Sequence, residues 1–293
     1  MKYSIIFFWD DFDYTNNMFT NNFYKNHEYT NDLVNIDFIV IGPFINDYDK
    51  IKNLNCKKIL YITEPINEYL KYDNTIKLLN ENIFDKIIGS INHDPLHNRY
   101  KLPFYLNYFN YKDESIFINT NLYVKNCIIP NNFGCLINTH DEKNTRSRIY
   151  HFLKEINHIT CPSSLFNNTT NEELNNIGNI EYIKKFKYNI CSENCISNLE
   201  GYITEKLLNC CLGCAIPIYC GWFDDIDEQI FNKNRILFYD PYDDISINNL
   251  YEKIKYFEEN KEEFEKFYRQ DIFCKNAYQV CIDLEENILN INL

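Results

Sequence analysis

The feature that most constrains this chain is a repeated alternation of short apolar runs with amphipathic polar segments. In the first part the runs are Tyr3–Phe8, Asp37–Ile41 (closed by Gly42 and Pro43), Lys58–Ile62 and Lys86–Gly89. Helix-like stretches such as Thr75–Asn82 lie between them. Strands separated by helices cannot pair as hairpins; they pair in parallel, with the helices covering both sheet faces. A second series starts near Asn126. Phe133–His140, Phe186–Asn194 and Ala215–Cys220 read as strands or strand and loop, and Tyr202–Leu212 as a helix. Ile149, Phe152, Leu153 and Ile156 recur at helical spacing, as do Leu250, Ile254, Phe257 and Phe264. A chain of 293 residues can bury two ordinary cores. The expected architecture is therefore α/β, with two β-α-β halves at 1–125 and 126–293. The polar stretch Asn107–Lys125 is the expected crossing between them, and no internal repeat is visible.

Composition narrows the function classes. Hydrophobic residues make up 45% and aromatic residues 16%, which is a globular chain. A net charge of −13 with no basic run excludes wholesale nucleic-acid binding, so individual placed cations become informative. Ile5–Trp9 is too short to span a membrane and no signal-peptide core follows it. The expectation is a soluble, cytoplasmic protein with no membrane span. Most of the 12 cysteines, among them Cys127, Cys135, Cys220 and Cys281, sit in apolar runs and read as reduced small hydrophobes. A rival zinc reading uses Cys191, Cys195, Cys210, Cys211 and Cys214. Cys211 and Cys214, however, fall where a helix is expected. Asp11 with Asp13, and Asp225 with Asp227, have Asp-x-Asp form, which arises often by chance in an acidic chain. His93 and His97 read as polar surface.

The stretch EGYITEKLLNCCLGCAIPIYCG, Glu200 to Gly221, carries the chemistry. Tyr202, Thr204, Glu205 and Lys206 cluster just ahead of an apolar helix. Thr204 suits an N-cap, and the loop follows a strand, where open α/β sheets bind ligands. A helix N-terminus favours an anion, whereas Lys206 in the first turn opposes the helix dipole. A shared phosphate would resolve that conflict. The plain alternative is an ordinary cap with a solvated Glu-Lys pair.

KFKYNICSEN followed by GYITEKLLNCCLGCAIPIYCG resembles the signature of the glycosyltransferase family 10 α-1,3-fucosyltransferases. Glu193, Asn194, Tyr202 to Lys206, Ile216, Pro217, Ile218, Tyr219 and Gly221 carry the match. TRSRIYHFL resembles the Arg-containing helix start of that family and LYITEPINEY its Glu-containing segment. FDKIIGSINHDPLHNRYKLPFY is similar to the segment that follows. The likeness runs from Lys58 to about Tyr256. Ser192 stands where the family usually has an aromatic, and the spacer from Asn194 to Tyr202 is longer by about two residues.

The resemblance implies a GT-B fold, two Rossmann-like domains with parallel sheets facing across a cleft, the N-terminal one (1–125) on the acceptor side and the C-terminal one (126–293) binding GDP-fucose. It implies inverting transfer of L-fucose from GDP-fucose to a hydroxyl of an oligosaccharide or glycoconjugate. Arg146 and Lys206 would neutralise the diphosphate, with Arg148 as the alternative to Arg146. Glu64 would be the general base, and Asn194, Tyr202 and Glu205 would orient nucleoside and fucose. No obligatory cofactor or metal is implied, and a divalent cation would at most stimulate. Rival readings are a transferase using another nucleotide sugar and a non-catalytic glycan-binding descendant, zinc-stabilised or not.

Overall fold

The computed structural model describes residues 1–64, 72–141, 143–194 and 201–289. Among these, residues 1–109, 201–202 and 281–289 form one compact unit, and 110–194 with 203–280 form a second.

The first unit is built on a six-stranded parallel sheet. Its strands are β1 (Lys2–Ile6), β2 (Glu28–Tyr29), β3 (Phe38–Ile41), β4 (Lys57–Ile62), β5 (Lys86–Gly89) and β6 (Arg99–Lys101), in the order β2-β1-β3-β4-β5-β6. Period-2 alternation sends Ile39, Ile41, Leu60 and Ile62 to one face. There they pack with Ile51 of α1 (Tyr48–Asn53) and Leu78 of α2 (Asp73–Asn80). Asp47 caps α1 by accepting from the Lys50 amide at 2.9 Å. The opposite face is aromatic: Tyr3 stacks on its register partner Phe38 at 5.1 Å, and Phe8 stacks on Tyr61 at 5.9 Å. Past β1 the backbone of Phe7 turns left-handed, with φ 61°. Gly42 makes that turn feasible, because a Cβ there would lie 2.3 Å from the Phe7 carbonyl oxygen.

The second unit has a five-stranded parallel sheet in the order β11-β10-β9-β7-β8. Its elements are α3 (Glu114–Asn126), β7 (Asn132–Cys135), α4 (Thr145–Leu153), β8 (Ile159–Thr160), α5 (Glu172–Ile183) and β9 (Phe186–Ile190). They continue with α6 (Glu205–Leu212), β10 (Ile216–Tyr219), α7 (Asp227–Ile230), β11 (Leu237–Phe238), α8 (Asp244–Glu259) and α9 (Lys261–Tyr268). The final helix, α10 (Ala277–Leu289), starts in this unit and its residues from Cys281 belong to the first. α3 lies in the stretch read as a crossing, and it packs within the second unit. Phe117 meets Phe273 edge-on at 5.1 Å, and Asn121 accepts from the Ile272 and Phe273 amides while donating to the Phe273 carbonyl.

Pro217 sits inside β10, where a lost ladder donor should matter. The register removes the cost. The Ile218 carbonyl accepts from Cys191 on the β9 side, and the Tyr219 carbonyl accepts from Tyr239 on the β11 side. Pro217 therefore turns its missing N–H toward β11, whose pairing begins one residue later at Ile218 with Leu237.

Two expectations shift in detail, and four short strands were not expected. The Phe133–His140 run leaves the sheet after Cys135 and continues as loop. The Tyr202–Leu212 helix begins at Glu205, because Thr204 is extended. β2, β6, β8 and β11 are two or three residues each, too short to show a period. Among the described residues no helix is long and apolar enough to cross a membrane.

Lys86 ties the last helix to β5. Its buried ammonium donates to the carbonyls of Asn287 and Ile288 at 3.1 and 3.2 Å and lies 3.8 Å from the Tyr100 ring centroid. Helix-end carbonyls favour a cation, but desolvation dominates and lowers the Lys86 pKa from 10.5 to about 7. The unfolded chain then binds more protons than the folded chain between those values, so this group makes stability rise with pH across that window. Thermal melts of the wild type and Lys86→Met should show the wild type gaining on the variant between pH 7 and pH 9. A difference independent of pH would refute the buried titration.

Candidate active site

A cavity of about 300 Å³ opens at the carboxyl edge of the second sheet. It forms where the loops after the adjacent parallel strands β7 and β9 diverge, which is where open α/β sheets leave room for ligands. Asn138 comes from the β7 loop, Arg146 from the first turn of α4, Asn194 from the β9 loop, and Glu205 with Lys206 from the first turn of α6. Asn179 joins from α5, just beyond Gly178, whose φ of 77° and ψ of 168° break that helix. Four of the six residues picked out by sequence, Arg146, Asn194, Glu205 and Lys206, thus line one cavity.

Arg146 is 1% exposed. Its guanidinium donates to the His140 carbonyl at 2.7 Å, to the Ser192 carbonyl at 2.9 Å and to the Asn194 side-chain oxygen. One cation thus fastens the two loops that flank the cavity, and it holds a buried positive charge at the wall. Arg148 points elsewhere, to the Pro241 carbonyl at 2.6 Å and to Asp244. Asp141 accepts from the amides of Arg146 and Ser147 at 3.0 and 2.6 Å, so a carboxylate covers the tip of α4.

The start of α6 is organised by a residue that the sequence reading matched without giving it a role. Glu193 is fully buried. One carboxylate oxygen accepts from the Thr204 amide at 2.8 Å, and the other accepts from the Thr204 hydroxyl at 2.7 Å. Tyr219 donates to the same carboxylate at 3.4 Å. The Lys206 ammonium lies 3.4 Å from Glu193 and 3.5 Å from Glu205, and donates to the Thr204 hydroxyl at 2.9 Å. Thr204 is the N-cap by position, but its side chain makes no cap bond to the helix. The conflict of Lys206 with the helix dipole is therefore met by two carboxylates. The signal that could have found Glu193 is a carboxylate just past an apolar strand, since a buried Glu needs several donors. Gly221 allows the approach, because a Cβ there would fall 2.6 Å from the Glu193 Cγ.

The remaining sequence-picked positions lie elsewhere. Tyr202 is buried and belongs to the first unit. Glu64 is half-buried, two residues past the carboxyl end of β4 in that unit. Ser192, the departure from the family pattern, is fully buried, and its hydroxyl meets that of Tyr239 at 2.5 Å. Tyr239 also donates to the Thr145 carbonyl at 3.1 Å, which links β11 to the base of α4. The extended spacer and Cys195 fall in 195–200, outside the described residues. Cys191, Cys210, Cys211 and Cys214 are buried free thiols, and burial raises the pKa of each. Among the described residues no group of three or more His, Cys, Asp or Glu is arranged to hold a metal ion. Asp13 instead accepts from Thr15 and Asn16, and Asp227 from the Asp224 amide.

Glu193→Ala would leave the buried Thr204 amide without its acceptor and take one of two carboxylates from the Lys206 ammonium. It should cost about 2–4 kcal/mol in urea unfolding, the range for stranding a buried donor and removing one partner of a half-buried charge. Glu193→Gln, which keeps the shape, should cost less. A change under about 0.5 kcal/mol in both would mean that the carboxylate does not hold the tip of α6.

Comparison with known proteins adds three findings. A family model described as the C-terminal part of glycosyltransferase family 10 (fucosyltransferase) matches residues 131–286. A crystal structure of an α1,3-fucosyltransferase superposes with a TM-score of 0.68 at 19% identity, covering 100% of this chain and 90% of that one. Structures of α1,3-fucosyltransferase with GDP-fucose and with GDP each superpose with a TM-score of 0.67 at 18% identity, covering 100% of this chain and 91% of theirs. No curated protein matches the sequence. The structural likeness carries the fold, which is GT-B with a Rossmann-like parallel sheet in each unit. Because the matched residues make up more than half of the chain and include the whole cavity wall, the chain belongs to glycosyltransferase family 10, the fucosyltransferase family, and is a glycosyltransferase.

Proposed function

We propose that the protein transfers L-fucose from GDP-fucose to a glycan hydroxyl with inversion at the anomeric carbon. The observation that carries this reading is the grouping of Arg146, Asn194, Glu205 and Lys206 around one cavity at the tip of α6. The C-terminal part, 126–293, would hold the donor and the N-terminal part, 1–125, the acceptor. Departure of GDP places extra negative charge on the diphosphate. Lys206 and the first amides of α6 offer a cation and helix-end donors to that charge. Arg146 already spends hydrogen bonds on carbonyls, so its role is a fixed charge behind the phosphates rather than an open fork. Preorganised groups of this kind are worth several kcal/mol in a transition state. With these groups serving the phosphates, a divalent ion would at most stimulate.

Asn194 and Glu205 carry acceptor oxygens suited to sugar hydroxyls, and Tyr202 would contribute to orienting the donor. Glu64 would take the proton of the attacking hydroxyl. The supporting facts are its carboxylate and its place at the carboxyl end of a parallel strand. Use of another nucleotide sugar is the second reading, and the serine at position 192 motivates it. Calorimetric titration with GDP-fucose, GDP-mannose and a UDP-sugar separates the two.

Lys206→Ala should weaken GDP binding about tenfold or more, as expected for loss of a charge-assisted contact. Arg146→Lys should also weaken it, because a single ammonium cannot fasten both loops. Unchanged GDP affinity in both variants would remove the diphosphate from this cavity. Glu64→Gln should keep GDP affinity and lower kcat by about 10²–10⁴. Full turnover in that variant would require a different base.

A further inference from the structure

The carboxyl edge of the first sheet carries an aromatic arch that nucleotide chemistry does not use. In strand order β1 and β6 are four steps apart, about 19 Å at the usual strand spacing. Trp9, just past β1, nevertheless meets Phe104, just past β6, with ring centroids 6.4 Å apart. Trp9 also packs edge-on against Phe44 beyond β3 at 5.8 Å, and Phe104 carries Tyr108 edge-on at 5.2 Å. Both loops are tied to β4: Phe8 stacks on Tyr61, and the Asn107 amide donates to the Tyr61 hydroxyl at 3.0 Å. The two loops therefore bridge the ends of β3, β4 and β5. The left-handed Phe7 that launches the first of them is an uncommon conformation for a bulky residue, and such strain collects at functional sites.

Two further observations point to a ligand. The hydroxyls of Thr63 and Ser90, at the ends of adjacent strands β4 and β5, are buried and have no hydrogen-bond partner among the described residues. Native interiors seldom leave such groups unpaired unless something else supplies the partner. The rings above are not sealed in a core either: Trp9, Phe44 and Phe104 are half-buried, and Tyr108 is 51% exposed. Half-exposed aromatic rings and unpaired hydroxyls at one edge of the same sheet, with Glu64 next to Thr63, suit a molecule with C–H groups on one face and hydroxyls at its edge. We propose that the arch of Trp9, Phe44, Phe104 and Tyr108 is the platform on which a pyranose ring of the acceptor stacks. This inference rests on the reading of the acceptor as a glycan and assigns its subsite.

The chain has two tryptophans, Trp9 and Trp222, so Trp222→Phe leaves Trp9 as the only indole reporter. That protein is titrated with methyl β-D-galactopyranoside, methyl β-D-glucopyranoside and methyl N-acetyl-β-D-glucosaminide, with GDP titrated calorimetrically in parallel. At least one glycoside should shift Trp9 emission and receive saturation transfer at its ring C–H protons. In the wild-type background, saturation transfer should report about tenfold weaker binding for Trp9→Ala, the size of one aromatic stacking contact, and near-normal binding for Trp9→Phe. Tyr108→Ala, at an exposed position, should weaken glycoside binding too, and serves if Trp9→Ala does not fold. GDP affinity should be the same in all. The platform is overturned if no glycoside binds the wild type, or if Trp9→Ala and Tyr108→Ala bind as the wild type does. Intact GDP binding beside that result leaves the donor reading standing, whereas absent GDP binding in the wild type sinks the donor reading on its own.

Discussion

The candidate donor cavity depends on one buried carboxylate. Glu193 lies in the loop three residues past β9 and receives the amide and hydroxyl of Thr204 together with the Lys206 ammonium. A lone buried carboxylate would be costly, so it persists only because these donors converge on it. The convergence fixes where α6 begins and how its first turn faces the cavity. Tyr219 on β10 closes the set from the neighbouring strand, and Gly221 keeps the space clear. Strand, cap and cation are one interlocked unit centred on Glu193.

Arg146 plays the matching part on the other wall. A fully buried guanidinium whose donors end on backbone carbonyls is an organiser of loops as well as a charge. Arg235 shows the purely architectural form of the same device. It donates to the carbonyls of Tyr268, Ala215 and Cys214 and is itself buried, away from the cavity lining. The difference between the two is position: Arg146 lies at the carboxyl edge of the sheet, where a ligand can feel its field.

Most of the architecture was legible in the chain. The runs at β3, β4, β5, β9 and β10 are continuous and strongly apolar, and these buried parallel strands fall within a residue or so of where the pattern puts them. The two- and three-residue strands were not legible, because a period needs more residues than they have. The return of residues beyond Cys281 to the first unit was hidden as well, since amphipathic periodicity shows that a helix packs but not on what. In the cavity, Arg146, Asn194, Glu205 and Lys206 were legible only through a motif. Their side chains could equally have been solvated caps by spacing alone. Glu193 was overlooked as a participant because its partners, the Thr204 amide and hydroxyl, are eleven residues away and joined to it only by the fold.

The division of the chain has a consequence for biogenesis. The first unit takes its opening residues from the start of the sequence and part of its last helix from residues beyond Cys281. A ribosome emits the N-terminal strands early and, between them and the final helix, the whole second unit. The carbonyls that receive the Lys86 ammonium emerge only after the second unit has been made. The leading sheet must therefore wait, with that flank uncovered, while the trailing unit condenses, which reverses the usual order in which the earlier half of a two-part protein is finished first.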